Sequence, residues 1–355
     1  MNAIVNEARV PARVAPHPTH KLKWLLRREF WEHKGGFLWA PLVSGAIFLF
    51  FTLLGGGTGQ FVFNRHGGKI VDFDGQQVPL SQVDWNRLLA GASAEDMRQY
   101  AEAVNLVTLM SALWPLVVFA FVVFFYLLGS LYDERRDRSV LFWKSLPVSD
   151  GQTVLSKALT ALVVAPLIAT AIALLAMLGF GLIISGFIAL NGGNPFTMYW
   201  SQLRPLHLLG AMLAGWPVYI LWALPTVGWL MLCSAWAKSK PFLWAVALPV
   251  MAGVLVSWFG LLGGRNAHDG VGDGWFWQHV VARLLTGTWP GSHLLGYAGT
   301  PYLDRLDDSP KALYGLDGVI GGLHLFTTPA LWIGAIAGIL MILAAVRLRR
   351  WRDDA

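Results

Sequence analysis

Three histidines, His268, His279 and His293, share one glycine-rich stretch with Asp269 and Asp273, and these are residue types that hold a metal. Their spacings of eleven and fourteen residues match no ligand pattern of a structural or catalytic zinc site, so they read as solvated loop histidines. No HExxH, GxSxG or strand-to-helix GxGxxG occurs in the chain. The phosphate-cradling pattern GxxxxGK[ST] is absent as well, because "GGKI" at Gly67–Ile70, including Lys69, lacks both the first glycine and the hydroxyl residue. The single cysteine, Cys233, lies inside an apolar run, which rules out an intrachain disulfide or a CxxC motif. What remains is charge. It is concentrated in "YDERRDRSVLFWKSLPVSDGQTVLSK", Tyr132–Lys157, wedged between two long apolar runs.

Of the 355 residues, 55% are hydrophobic and 14% charged, with a mean hydropathy of +0.52. A soluble domain of this size could not carry that surface, so the composition is that of an all-α integral membrane protein. A crossing takes about 20 apolar residues. Six segments qualify: Phe37–Leu54, Val104–Leu131, Ala158–Leu190, Leu208–Ala237, Phe242–Leu262 and Pro329–Val346. They divide the chain into an N-terminal region 1–36, a transmembrane domain 37–346 with outer regions 55–103 and 263–328, the loop 132–157, and a tail 347–355. Eighteen of the 27 Lys and Arg fall in 1–36, 132–157, 238–240 and 347–355. The positive-inside rule therefore puts both termini and the loop in the cytoplasm, and accounts for the basic face without nucleic acid. The first twenty residues lack the apolar core of a signal peptide, so no cleavage is expected.

Before the first span, "KLKWLLRREFWEHKGGF" places Leu22, Leu25, Leu26 and Phe30 on one helical stripe, with Lys21, Lys23, Arg27, Arg28 and Lys34 near lipid phosphates, as in a helix lying flat on the inner leaflet. In the first outer region, "FVFNRHGGKIVDF" alternates around Gly67–Gly68 and predicts a β-hairpin. Ser93 with Asp96 predicts a capped helix running unbroken into the second span. In the second outer region, "WFWQHVVARLLTGTWPG" brings three tryptophans that suit a helix dipping into the outer interface.

The spans contain no Asp, Glu, Lys, Arg or His, which disfavours an ion-coupled carrier or channel, the alternative reading; a membrane-embedded enzyme is weaker still. Pro41, Pro115, Pro166, Pro217, Pro225, Pro249 and Pro329 offer kinks, and Gly334 with Gly338 forms a GxxxG. In the loop, Val140, Leu141, Phe142 and Trp143 are bracketed by Arg135, Arg136, Arg138 and Lys144, as aromatic anchors of a docking surface are. Leu146–Pro147–Val148 ends that helix, and Ser149 with Gln152 caps the next.

The run "ERRDRSVLFWKSLPVSDGQTVLSK" resembles the loop between the second and third spans of ABC-2 type permeases, the membrane subunits of ABC exporters. "LKWLLRREFWEHKGG" is similar to that family's elbow helix, and the outer helices before the last span to its re-entrant pair. The resemblance implies a multi-pass permease of the bacterial inner membrane. It would pair with a second permease chain, identical or closely related, and each chain would dock a separate ATPase subunit, two copies in all. ATP and Mg would be bound by those subunits, so this chain would not itself be an enzyme. The coupling helix would lie at about Arg136–Ser145, with contacts from Arg135, Arg136, Ser139, Phe142, Trp143, Lys144 and Leu146. Trp24, Arg28, Glu29 and Trp31 would belong to the elbow, and Glu29 would reach the loop arginines. A first outer region longer than in many polysaccharide exporters favours a drug, peptide or lipid substrate.

Overall fold

The computed structural model describes residues 18–65, 70–73, 76–79, 91–262, 273–289, 291–293 and 324–351. Six helical stretches are long and apolar enough to cross a membrane: Gly35–Phe61, Ala94–Arg136, Asp150–Leu190, Pro205–Trp236, Pro241–Gly260 and Pro329–Trp351. All six coincide with the apolar runs. Several extend further, and the 43 residues of the second would reach about 65 Å as one ideal helix, roughly twice the hydrocarbon thickness.

The first helix, α1 (Pro18–Glu32), leads through a π-helical turn, Gly35–Trp39, into α2 (Ala40–Arg65). A second π turn, Thr160–Val164, joins α7 (Asp150–Leu159) to α8 (Ala165–Leu190). Each is followed within two residues by a proline, Pro41 or Pro166. The wider turn absorbs the missing donor, since Ala40 N–H reaches back to Gly35 O and Ala165 N–H to Thr160 O. Pro217 and Pro329 sit in a first turn, where no donor is needed. Only Pro225 in α10 (Trp216–Trp236) and Pro249 in α11 (Pro241–Leu262) lie inside a helix.

One expectation is corrected and one is trimmed. Residues 61–65, meant as a strand, continue α2; the strands are β1 (Ile70–Phe73) and β2 (Gln76–Pro79), antiparallel with Phe73 opposite Gln76. Between the strands the sequence reads Asp-Gly at positions 74 and 75, a stronger hairpin signal than Gly67–Gly68; both pairs lie outside the described residues. The helix capped by Ser93, α3 (Ala94–Ser111), runs unbroken into the second span as expected, and a one-residue turn at Ala112 then parts it from α4 (Leu113–Gly129), where the ring of Pro115 crowds the carbonyl four residues back, that of Ser111. Of the helix expected over about Arg136–Ser145, α6 (Ser139–Ser145) forms the greater part; it begins after Arg138, which turns left-handed at φ 58° and parts it from the preceding α5 (Tyr132–Arg136). Both predicted capping boxes, Ser93 with Asp96 and Ser149 with Gln152, are formed.

The core gathers Phe37 with the second, third, fourth and last spans around Val123, Leu127, Ala161, Val227, Leu230 and Ala345. α10 packs most extensively on α14 (Pro329–Trp351). There a Cβ at Gly338 would fall 2.5 Å from Leu224 O and 2.6 Å from Pro225 N. The GxxxG thus serves close approach within the chain. At the far end of the bundle a π turn, Phe196–Trp200, is tied to α3, with Thr108 Oγ1 and Tyr199 OH 2.8 Å apart and Asn105 donating to Gln202 O at 3.0 Å. α9 (Pro205–Ala214) then leads into α10. A short helix α12 (Asp273–Phe276) continues through a π turn into α13 (Arg283–Thr286), which packs on α10.

Candidate functional site

Every strongly buried acid among the described residues lies at one end of the bundle, and the residues that hold them come from four separate stretches of chain. Glu29 of α1 is fully buried. It accepts from Lys157 Nζ at 3.1 Å and from Tyr126 OH at 2.8 Å, and is ion-paired to Arg28 at 3.3 Å. The same lysine lies 3.1 Å from Glu134 of α5, whose other oxygen takes Arg349 from the end of α14. Arg349 Nε also donates to Asp150 Oδ1, in the first turn of α7, at 3.1 Å.

Three carboxylates (Glu29, Glu134, Asp150) therefore face three cations (Arg28, Lys157, Arg349). A charge this deep is tolerable only when paired and hydrogen-bonded, and the balance meets that condition. The fold supplies it because α1 lies along α7 through Leu25 and Glu29, one turn apart on the same face.

This geometry changes the reading of α1. The stripe Leu22, Leu25, Leu26, Phe30 turns toward the protein and shares its face with Glu29 and His33, whose ring meets Tyr126 edge-on at 4.7 Å. The outward stripe carries Trp24 and Trp31, with Arg27 over the first ring at 5.6 Å and Lys34 over the second at 5.1 Å. An aromatic and cationic stripe of this kind suits a membrane interface.

The loop residues separate into two groups. Arg135 is buried and donates to Ser234 O at 2.6 Å and Ala237 O at 2.9 Å, closing the end of α10. Ser234 Oγ in turn accepts the N–H groups of Leu131 and Tyr132 at 3.0 and 2.9 Å. Glu29 is met by Lys157 and its own neighbour Arg28, while Arg135 turns to these carbonyls. Trp143 is half-buried beneath the Arg28 guanidinium, 3.6 Å from its ring centre. Ser139 Oγ donates to Glu134 O at 3.3 Å, and Lys144 is half-buried.

Outward-facing are Leu141 and Phe142, 58% and 61% exposed, Leu146 at 36%, and Arg136, paired at the surface with Asp137. α6 thus presents an apolar surface on one side and is held by Arg28 on the other.

Comparison with family models, with curated proteins and with solved structures finds no match to this chain.

Sequence reasoning missed two residues here. Arg349 reaches Glu134 across 215 positions of sequence, and only its place in a basic last turn marked it. Arg283, in the Trp-rich stretch before the last span, is buried and donates to Ala330 O at 2.6 Å and Leu331 O and Trp222 O at 3.3 Å, over the Trp222 ring at 4.0 Å. It ties α13 to α10 and to the start of α14. Of the outer histidines, His279 stacks on Trp275 at 5.1 Å, while His268 and Asp269 lie outside the described residues. Among the described residues no three His, Cys, Asp or Glu side chains gather as metal ligands would.

Proposed function

We propose that this chain is the membrane-spanning permease subunit of an ATP-driven exporter of the ABC-2 type, driven by separate ATPase subunits that dock on α6. One observation carries the reading. The exposed Leu141, Phe142 and Leu146 stand on or just past α6, which packs Trp143 under Arg28 of α1 and follows directly on α5, whose Glu134 is ion-paired to α1, α7 and α14 through Arg28, Lys157 and Arg349. A push on α6 would therefore move the ends of three spans and α1 together, as a transmission element requires.

In this reading the chain pairs with a second permease in the bacterial inner membrane, with both termini in the cytoplasm. The ATPase subunits bind ATP and Mg, and the substrate is drug-like, peptide or lipid-like. Trp24 and Trp31 would rest α1 on the inner leaflet.

The test is co-purification of the separately encoded ATPase with this chain from native membranes. Phe142→Ala should lower retained ATPase by about one to two decades, the range for truncating one central aromatic anchor. Leu175→Ala, on an exposed apolar side of α8, should leave retention unchanged. A retained fraction equal to wild type in the Phe142 variant, or the absence of any ATPase from the complex, would overturn the reading. Trp143 is the poorer probe, since its removal also strips Arg28 of its ring.

A further inference from the structure

A crevice of about 760 Å³ opens between the π turn Gly35–Trp39 and the second span, beside the charged cluster. The volume lies within the range of small-molecule sites. One wall is apolar, with Phe121 and Phe125 46% and 55% exposed and Val122 between them. Phe125 stacks on Phe242 along one flank at 6.0 Å. The mouth is acidic and carries Glu32, Asp133 and Asp137, all exposed. Surface partners of the acids are Arg28 for Glu32 and Arg136 for Asp137, both at 3.2 Å, and exposed pairs of this kind hold weakly.

Among the described residues lining the crevice the one lysine, Lys157, is committed to Glu29 and Glu134. Around this mouth the sequence is basic, with 18 of the 27 Lys and Arg in the stretches that share this end by the charge count. An acidic mouth in that setting is a local feature rather than a consequence of composition. An acid-rimmed, apolar-walled slot complements one kind of molecule.

We propose that this crevice binds a cationic amphiphile, its chain against Phe121, Val122 and Phe125 and its head against Asp133, Asp137 and Glu32. Gly35 lines the slot and faces open space, since a Cβ there would meet nothing within 4 Å, so a large side chain placed there would enter the slot. The site belongs to this chain alone, so it is measured without an ATPase and does not depend on the transport reading.

The experiment uses the full chain in phosphatidylcholine nanodiscs and a diazirine-bearing dodecyl trimethylammonium probe, with cross-linked peptides mapped by mass spectrometry. Saturable labelling is expected within 35–37 or 118–126. Asp133→Asn with Asp137→Asn should weaken it at least about tenfold, since both negative charges facing the cationic head are removed. Asp133→Glu with Asp137→Glu should retain it, and Gly35→Phe should abolish it by filling the slot. A dodecyl probe with a hydroxyl head should not label saturably. Labelling elsewhere, equal labelling by the neutral probe, or undiminished labelling of the asparagine variant would overturn the proposal. So would cross-linking of a cysteine at Phe125 to a second copy, because the crevice would then be a subunit interface.

Discussion

Lys157 sits 2% exposed between Glu29 and Glu134, and what it neutralises sets the cost of losing it. Lys157→Met removes the cation but keeps the stem, so two carboxylates stay buried with only Arg28, Arg349 and Tyr126 as partners. Breaking a buried pair from one side costs about 3–5 kcal/mol. The variant should therefore melt well below wild type when unfolding is followed in detergent by tryptophan emission. Adding Glu29→Gln removes one of the stranded charges and should recover part of the loss, because residues of one network couple rather than add. An additive double variant would mean that the two groups do not interact. The sequence announced Lys157 and Glu29 as charges beside apolar runs, but not their partnership. That depends on α1 folding back along α7, which no local spacing encodes. Arg283 was hidden for the same reason: its partners are carbonyls of helices about 50 and 60 residues away.

At the scale of elements, local rules were legible where they act locally. Apolar runs gave all six long helices, and serine followed three residues later by Asp or Gln gave both capping boxes. The break at Ala112 and the π turns were written in Pro115, Pro41 and Pro166, although the form each disturbance takes depends on packing. The join between α10 and α14 is where packing is most exacting. Gly338 approaches Leu224 and Pro225 of the facing backbone, and a Cβ at Gly228 would in turn meet Gly338 Cα at 3.0 Å.

Neither backbone can yield as a flexible side chain would, so Gly338→Val should force the helices apart. It should lower stability by at least the roughly 1–3 kcal/mol typical of overpacking. Gly55→Ala, in open space on α2, serves as the control and should be neutral or slightly stabilising. Thermal midpoints of the two variants in one detergent decide the matter. A Gly338→Val protein that melts like wild type would show that the close approach is dispensable.

For the whole molecule, the arrangement across a membrane rests on the charge count, and the structure supplies sites that test it cleanly. α2 leaves the charged cluster at Ala40, so Gln60 lies 20 residues on, about 30 Å along the helix, near the thickness of the hydrocarbon layer. At that point Gln60 exchanges amide hydrogen bonds with Asn191, at the other end of α8 from Lys157, at 2.9 Å each way. Ser145, exposed at the end of α6 beside the charged cluster, belongs to the opposite side. The native Cys233 is buried, so single cysteines can be introduced over a silent background. In intact cells Gln60→Cys should react with a membrane-impermeant maleimide. Ser145→Cys should react only after the membrane is opened, because the positively charged segments stay where they are synthesised. Should both react from outside, the six spans would not lie as the Lys and Arg distribution places them, and α6 could not meet an ATPase in the cytoplasm. Labelling of Ser145 alone from outside would invert the molecule and remove the docking reading, while leaving the fold and the buried charge cluster intact.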